Sequence, residues 1–145
     1  MEPVLQFNGY RVEKIVYEKN VEVQEENDID VEVATGLNQE NDIDVEVATG
    51  LNQEKDKGKV RITIKTFEKN RKRKLELSVI GAFTFLNIDN DKKREILSVN
   101  GTAILYPYVR AITSVVTSQD TDPAIILPTV NTLNFLDNEV SNSDE

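Results

Sequence analysis

Cysteine and histidine are both missing from this chain of 145 residues. The first absence removes disulfides, thiolate nucleophiles and zinc–thiolate sites, and the second removes the usual general base and the commonest metal ligand. Carboxylates, Ser, Thr, Lys and Tyr are left to do any chemistry. They are not arranged as G-x-S-x-G, as S-x-x-K or as the phosphate-binding G-x-x-x-x-G-K-[ST] loop. An enzyme is therefore not expected, and neither is a metal site or a cofactor. The sequence also lacks an apolar run of about 18 residues and an apolar N-terminal leader, so no membrane insertion is expected and the default location is cytoplasmic. Cations are the minority charge: 17 Lys and Arg stand against 26 Asp and Glu, for a net charge of −9. Such a balance argues against nucleic acid, whose affinity comes largely from cations that neutralise phosphates.

With 39% hydrophobic residues, the chain can bury one core and is short for two. One domain over residues 1–136 is expected, followed by an acidic, aperiodic stretch, 137–145, with the composition of a disordered tail.

Most of the chain reads as strands. From Val4 to Val23 a loose alternation sets Tyr10, Val12 and Val16 against Arg11, Glu13 and Ile15, with a bend near Gly9. A perfect tandem repeat follows: residues 26–39, E-N-D-I-D-V-E-V-A-T-G-L-N-Q, recur unchanged as 40–53. Two copies are too few for a solenoid. Within each copy acids alternate with Ile and Val, the pattern of a half-buried strand with an acidic outer face. The calcium loop D-x-[DN]-x-[DN]-G is absent, so these carboxylates read as a solvated face. One continuous strand through both copies is excluded by length, because about 28 residues far exceeds the usual strand. Pairing the copies with each other would set like charges across a ladder. The second copy, with its short link to Val60, is expected to fill the strand position while the other is extruded as a loop, with the first copy a competitor because its local contacts would be identical.

Lys59 to Phe67 and Leu75 to Phe85 alternate cleanly and form a hairpin through the basic link Glu68 to Lys74, whose cations read as solvated guards of an exposed tip. Ile80 to Ile88 is apolar on both faces, so something is expected to cover its second face. Asp89 and Asp91 are placed to cap a short helix over 92–97, although a long link fits as well. The one convincing helix runs from Ile104 to Thr117. Its apolar stripe is Ile104, Leu105, Tyr108, Ile112, Val115 and Val116, and Pro107 fits near a helix start. That stripe is broad for one small sheet, so part of it is expected between subunits.

Leu105-Tyr106-Pro107-Tyr108-Val109-Arg110 resembles the L-F-P-Y-x-R signature of the SecB protein-export chaperones. Pro123-Ala124-Ile125-Ile126-Leu127-Pro128-Thr129-Val130-Asn131 is similar to their P-x-x-x-L-P-x-x-N segment at the family spacing. Weaker similarity reaches through Gly81-Ala82-Phe83 back to Tyr17-Glu18-Lys19. The resemblance implies an α+β fold, a SecB-like four-stranded antiparallel sheet with one long helix and a short C-terminal helix, assembled as a homotetramer that is a dimer of dimers. It implies an ATP-independent holdase that binds unfolded polypeptides or preproteins, with main-chain hydrogen bonding making the contact tolerant of sequence. The expected groove residues are Phe83, Phe85, Tyr106, Tyr108, Leu133 and Phe135. Ile104, Leu105, Ile112, Val115 and Val116 are expected at the oligomer interface.

The same resemblance makes Glu76 a candidate contact for the translocation motor SecA. Asn20 and Gln24, however, stand where the family carries acids, which implies weak SecA binding. Two alternatives stay open: a SecB-like chaperone dedicated to one client such as an antitoxin, and an acidic β-rich binding or structural protein without chaperone activity.

Overall fold

Side chains alternate in and out along β3 (Lys57–Glu68) and β4 (Arg73–Phe85) because every second residue is apolar, the period of a strand with one face buried. The computed structural model describes residues 4–20 and 41–129. Two more strands, β1 (Leu5–Lys19) and β2 (Asn41–Leu51), complete an antiparallel sheet of order β1-β4-β3-β2. The second copy of the repeat thus supplies the edge strand β2, with Ile43, Val45 and Val47 half-buried and Asp44 and Glu46 exposed. The first copy lies outside the described residues. Asn52 closes the β2–β3 connection, since its backbone N–H donates to the Lys57 carbonyl and its side-chain oxygen accepts from the Lys57 N–H.

β1 changes phase twice. Register shifts fall between Phe7 and Gly9 and between Val12 and Lys14. Gly9 takes φ 114°, a conformation open to glycine at no steric cost. The second bulge, at Glu13, corrects the simple alternation. Ile15 joins Phe7, Tyr10 and Val12 on the inner face opposite Leu77, while Val16 turns outward beside Glu76. An extra residue in one strand flips every side chain after it.

One continuous helical run crosses the inner face: a 3₁₀ turn (Asn90–Lys92), α1 (Lys93–Ile96), a π turn (Leu97–Gly101) and α2 (Thr102–Thr117), with helical dihedrals at each junction from Lys92 onward. The helix therefore starts well before Ile104. Leu97, Ser98 and Gly101 are its buried residues in the π turn, too few apolar groups for periodicity to register. Pro107 consequently sits inside the helix rather than at its start. It is tolerated because Pro107 and Ala103, whose carbonyl loses its N–H partner, are both exposed. Asp89 occupies the N-cap position without a side-chain capping bond.

The helix lies close to the sheet where two glycines permit it. A Cβ on Gly81 would meet Leu105 Cδ1 at 3.1 Å, and one on Gly101 would meet Val60 Cγ2 at 3.0 Å. Between the layers Val60, Ile62, Ile64, Leu75, Leu77, Val79, Phe83, Leu97, Leu105 and Val109 form the core. Ile80 and Ala82, expected to be covered, remain half-buried on the outer face. Their neighbours across the strands, including Arg11 and Arg61 beside Ile80, offer aliphatic stems as partial shelter.

Candidate functional site

After α2 the chain turns at 118–122 and runs back along the helix as an extended segment, 123–129. Side chains spaced down one flank of α2 hold it by its backbone. The Tyr106 hydroxyl donates to the Pro128 carbonyl at 2.6 Å, Arg110 Nε to the Leu127 carbonyl at 3.0 Å, and the Ile125 N–H donates to Thr117 Oγ1 at 2.7 Å. Ile125 and Leu127 are buried and Ile126 points to solvent. The two sequence motifs are therefore in physical contact, the first supplying donors and the second the carbonyls. Burial pushes the Tyr106 phenol above its ordinary pKa, since desolvation disfavours the phenolate.

The opposite flank of α2 meets β1 in an aromatic cluster. Phe7 lies 5.3 Å from Phe83 and 5.6 Å from Tyr108, and Tyr10 lies 4.9 Å from Tyr108, centroid to centroid. Apolar surface continues outward from there. Tyr108 is 41% exposed and Val115 60% exposed, with Tyr10, Val12 and Ile15 beside them on the inner face of an edge strand. Single exposed apolar residues need no explanation, but a contiguous strip marks an interaction site.

The far end of the helix is anchored to the β3–β4 turn, which corrects the picture of wholly solvated cations there. Arg73 is 1% exposed. Its Nε donates to Glu68 Oε1 at 2.6 Å and its Nη1 donates to the Thr117 carbonyl at 3.2 Å. A buried guanidinium survives only when its donors are satisfied, and a cation suits the C-terminal end of a helix dipole. Arg73 holds the Glu68 carboxyl below the usual carboxylate range. Nearby, Lys19 bridges Asp120 and Asp122, and Arg71 pairs with Glu68.

The residues singled out from the sequence separate into distinct places. Phe83 and Phe85 are core residues, and Tyr106 is buried with its hydroxyl engaged. Tyr108 is exposed in the aromatic cluster, while Leu133 and Phe135 lie outside the described residues. Of the helical stripe, Leu105 is buried, Ile104, Ile112 and Val116 are half-buried, and Val115 is exposed. The buried line down α2 is Thr102, Leu105, Tyr106, Val109, Thr113 and Thr117, rotated from the expected stripe because threonines that bond their own helix backbone pack as apolar groups. Glu76 is on the outer face, bound to Lys14 at 3.0 Å, and its carboxyl is held low by that contact and by the fields of Lys65 and Lys74.

Sequence reading missed the roles of Arg73 and Thr117, and the bond that Arg110 makes, because their partners are remote or main-chain atoms. It missed the Tyr10–Ile15 edge because of the bulge. No group of three or more acidic, histidine or cysteine side chains that would hold a metal occurs among the described residues, and no described helix is long and apolar enough to cross a membrane.

Comparison with known proteins gives a match to the family model described as preprotein translocase subunit SecB over residues 10–142. A solved structure of the Mycobacterium tuberculosis SecB-like chaperone Rv1957, in complex with a peptide from the HigA1 antitoxin, superposes with a TM-score of 0.64. It covers 88% of this chain and 91% of that one at 17% identity, which shows a shared fold. A structure of a Streptococcus agalactiae protein of unknown function aligns with a TM-score of 0.42 at 14% identity, covering 86% of this chain and 97% of that one. The uncharacterised protein MJ0357 of Methanocaldococcus jannaschii is 38% identical over 64 residues, 44% of this chain, and that match spans 41% of the relative's own length.

Proposed function

This chain belongs to the SecB family of chaperones, and we propose that within it the protein acts as an ATP-independent holdase for extended, unfolded polypeptides. The observation that carries this reading is the docking of 123–129 along α2. There, side-chain donors engage main-chain carbonyls while alternate residues are buried, a mode that accepts many sequences. Beyond that segment the inner row of β2, with Ile43, Val45, Val47 and Leu51, is only half covered. We assign client binding to this row, with Phe85 and Tyr106 as its rigid support and Leu133 and Phe135 as candidates to close over it. The strip Tyr10, Val12, Ile15, Tyr108 and Val115 is assigned to subunit contact in a tetramer, and residence to the cytoplasm.

Light scattering from an aggregating, chemically unfolded client tests the function. Aggregation should be suppressed without nucleotide, and unchanged aggregation at a molar excess of the protein would end the proposal.

A second reading, a chaperone dedicated to one client, is favoured by the outer face. Glu76 is tied to Lys14 and flanked by Lys65 and Lys74, a poor place for a partner that seeks acids. Such a client would be analogous to the antitoxin peptide bound by the mycobacterial protein. Weak or absent SecA binding in a pull-down, beside strong capture of one native client, would select this reading over general export.

A further inference from the structure

Every lysine and arginine of the chain lies in the described residues, whereas nearly half of its acids do not. The described residues therefore carry a cationic excess inside a chain of net charge −9. On the outer face of the sheet the cations are unevenly placed. Towards the β3–β4 turn the charges alternate across strands: Asp44 stands opposite Lys65, Lys65 opposite Glu76, and Glu76 binds Lys14. That half neutralises itself.

The other half does not. Arg61 and Arg11 share the one carboxylate of Glu13, at 2.7 Å and 3.7 Å, and Lys59 makes no ion pair among the described residues. Between these cations the face is nearly bare. Ala48, Arg61, Ile80 and Arg11 form one row across the sheet, and Gly50, Lys59, Ala82 and Gly9 form the next. A shallow cavity of about 250 Å³ opens there, lined by Arg11, Lys59, Ile80, Ala82 and Gly9 among others.

We propose that this half of the outer face docks an extended acidic segment of a partner protein. Glycine and alanine let a second backbone approach the sheet. Ile80 offers one apolar contact, and the cations on either side of it, two strand spacings or roughly 10 Å apart, would receive carboxylates. Charge complementarity selects the sign of the partner and steers its approach. Among the described residues, neither of these rows holds an aromatic side chain to stack a base, which favours carboxylates over single-stranded nucleic acid. This surface is separate from the inner row assigned to unfolded clients and does not depend on that assignment.

The test is fluorescence anisotropy with the full chain and three probes of equal length: a labelled Asp-Leu-Glu repeat peptide, a Lys-Leu-Arg repeat peptide and a single-stranded oligonucleotide. The acidic peptide should bind best and weaken as salt rises. Arg11→Glu with Lys59→Glu should weaken it by about tenfold or more, with aggregation suppression unchanged. Ala82→Phe, which fills the floor without altering charge, should also weaken it and guards against a purely ionic artefact. Equal affinity for the acidic peptide in wild type and variants, no binding of it at all, or preference for the oligonucleotide would overturn the proposal.

Discussion

The two faces of the sheet are made by the same strands, alternate residue by alternate residue, yet a charge behaves differently on each. On the helix-covered face Arg73 is 1% exposed and persists because Glu68, the Thr117 carbonyl and the Tyr17 hydroxyl accept from it. On the outer face the Arg11 side chain is 68% exposed and stands 3.7 Å from Glu13. Desolvation sets the difference. A buried ion costs several kcal/mol unless its bonds are replaced, whereas an exposed pair gains little because water screens it. The inner face can therefore fasten hairpin to helix with one ion pair, while the outer face is free to vary its charges for a partner.

Breaking the inner pair should have the largest effect. Arg73→Met leaves the buried Glu68 carboxyl with only the exposed Arg71 as its partner and should cost about 3 kcal/mol in urea unfolding, the low end for a broken buried pair. The double variant Arg73→Met, Glu68→Leu should recover much of that loss. If the single variant unfolded like wild type, the distinction between the faces would collapse. Next in size is steric: Gly101→Val pushes a side chain into Val60, already 3.0 Å from an added Cβ, and should cost about 1–3 kcal/mol. Similar in size but more local is Thr117→Val, which strands the buried Ile125 N–H. The expected loss is about 1–3 kcal/mol, read as faster amide exchange and easier proteolysis at 125–128.

Acid sharpens the same contrast. Arg73 holds the Glu68 carboxyl low, so the pair stabilises the fold above the unfolded carboxylate pKa. That stability is lost as pH falls through the lowered folded value, in the region below about pH 4. Urea midpoints measured from pH 7 downward should fall steeply there for wild type and more gently for Arg73→Met. At the small end, Lys14→Ala should leave the melting midpoint within error, since its bond to Glu76 is exposed.

Much of the architecture is legible in local pattern. Period-two alternation marks β3 and β4 to within about two residues at their ends, and the acid-apolar alternation of each repeat copy describes the half-buried edge that β2 becomes. The helix was legible only in its second half. Apolar residues mark Ile104 to Thr117, but Leu97, Ser98 and Gly101 are buried by contact with the sheet, which no periodicity announces. The motif residues Tyr106, Arg110 and Pro128 were visible, but not that the first motif donates hydrogen bonds to the second. The acids matched to docking surfaces in the family pointed to Glu76, and the lysines that surround it in space were dispersed along the chain.

What the sequence by itself determined is the strand and helix content, the absence of cysteine and histidine chemistry, and the family, because these follow from composition, short-range period and motif spacing. Tertiary structure decided the rest. A bulge at Glu13 chose which side of β1 is apolar, pairing with β3 placed the second of two identical copies as β2, and desolvation turned Arg73 from a presumed surface cation into an internal fastening. Each outcome depends on contacts between residues remote in the chain or on backbone geometry, and neither is encoded in local pattern.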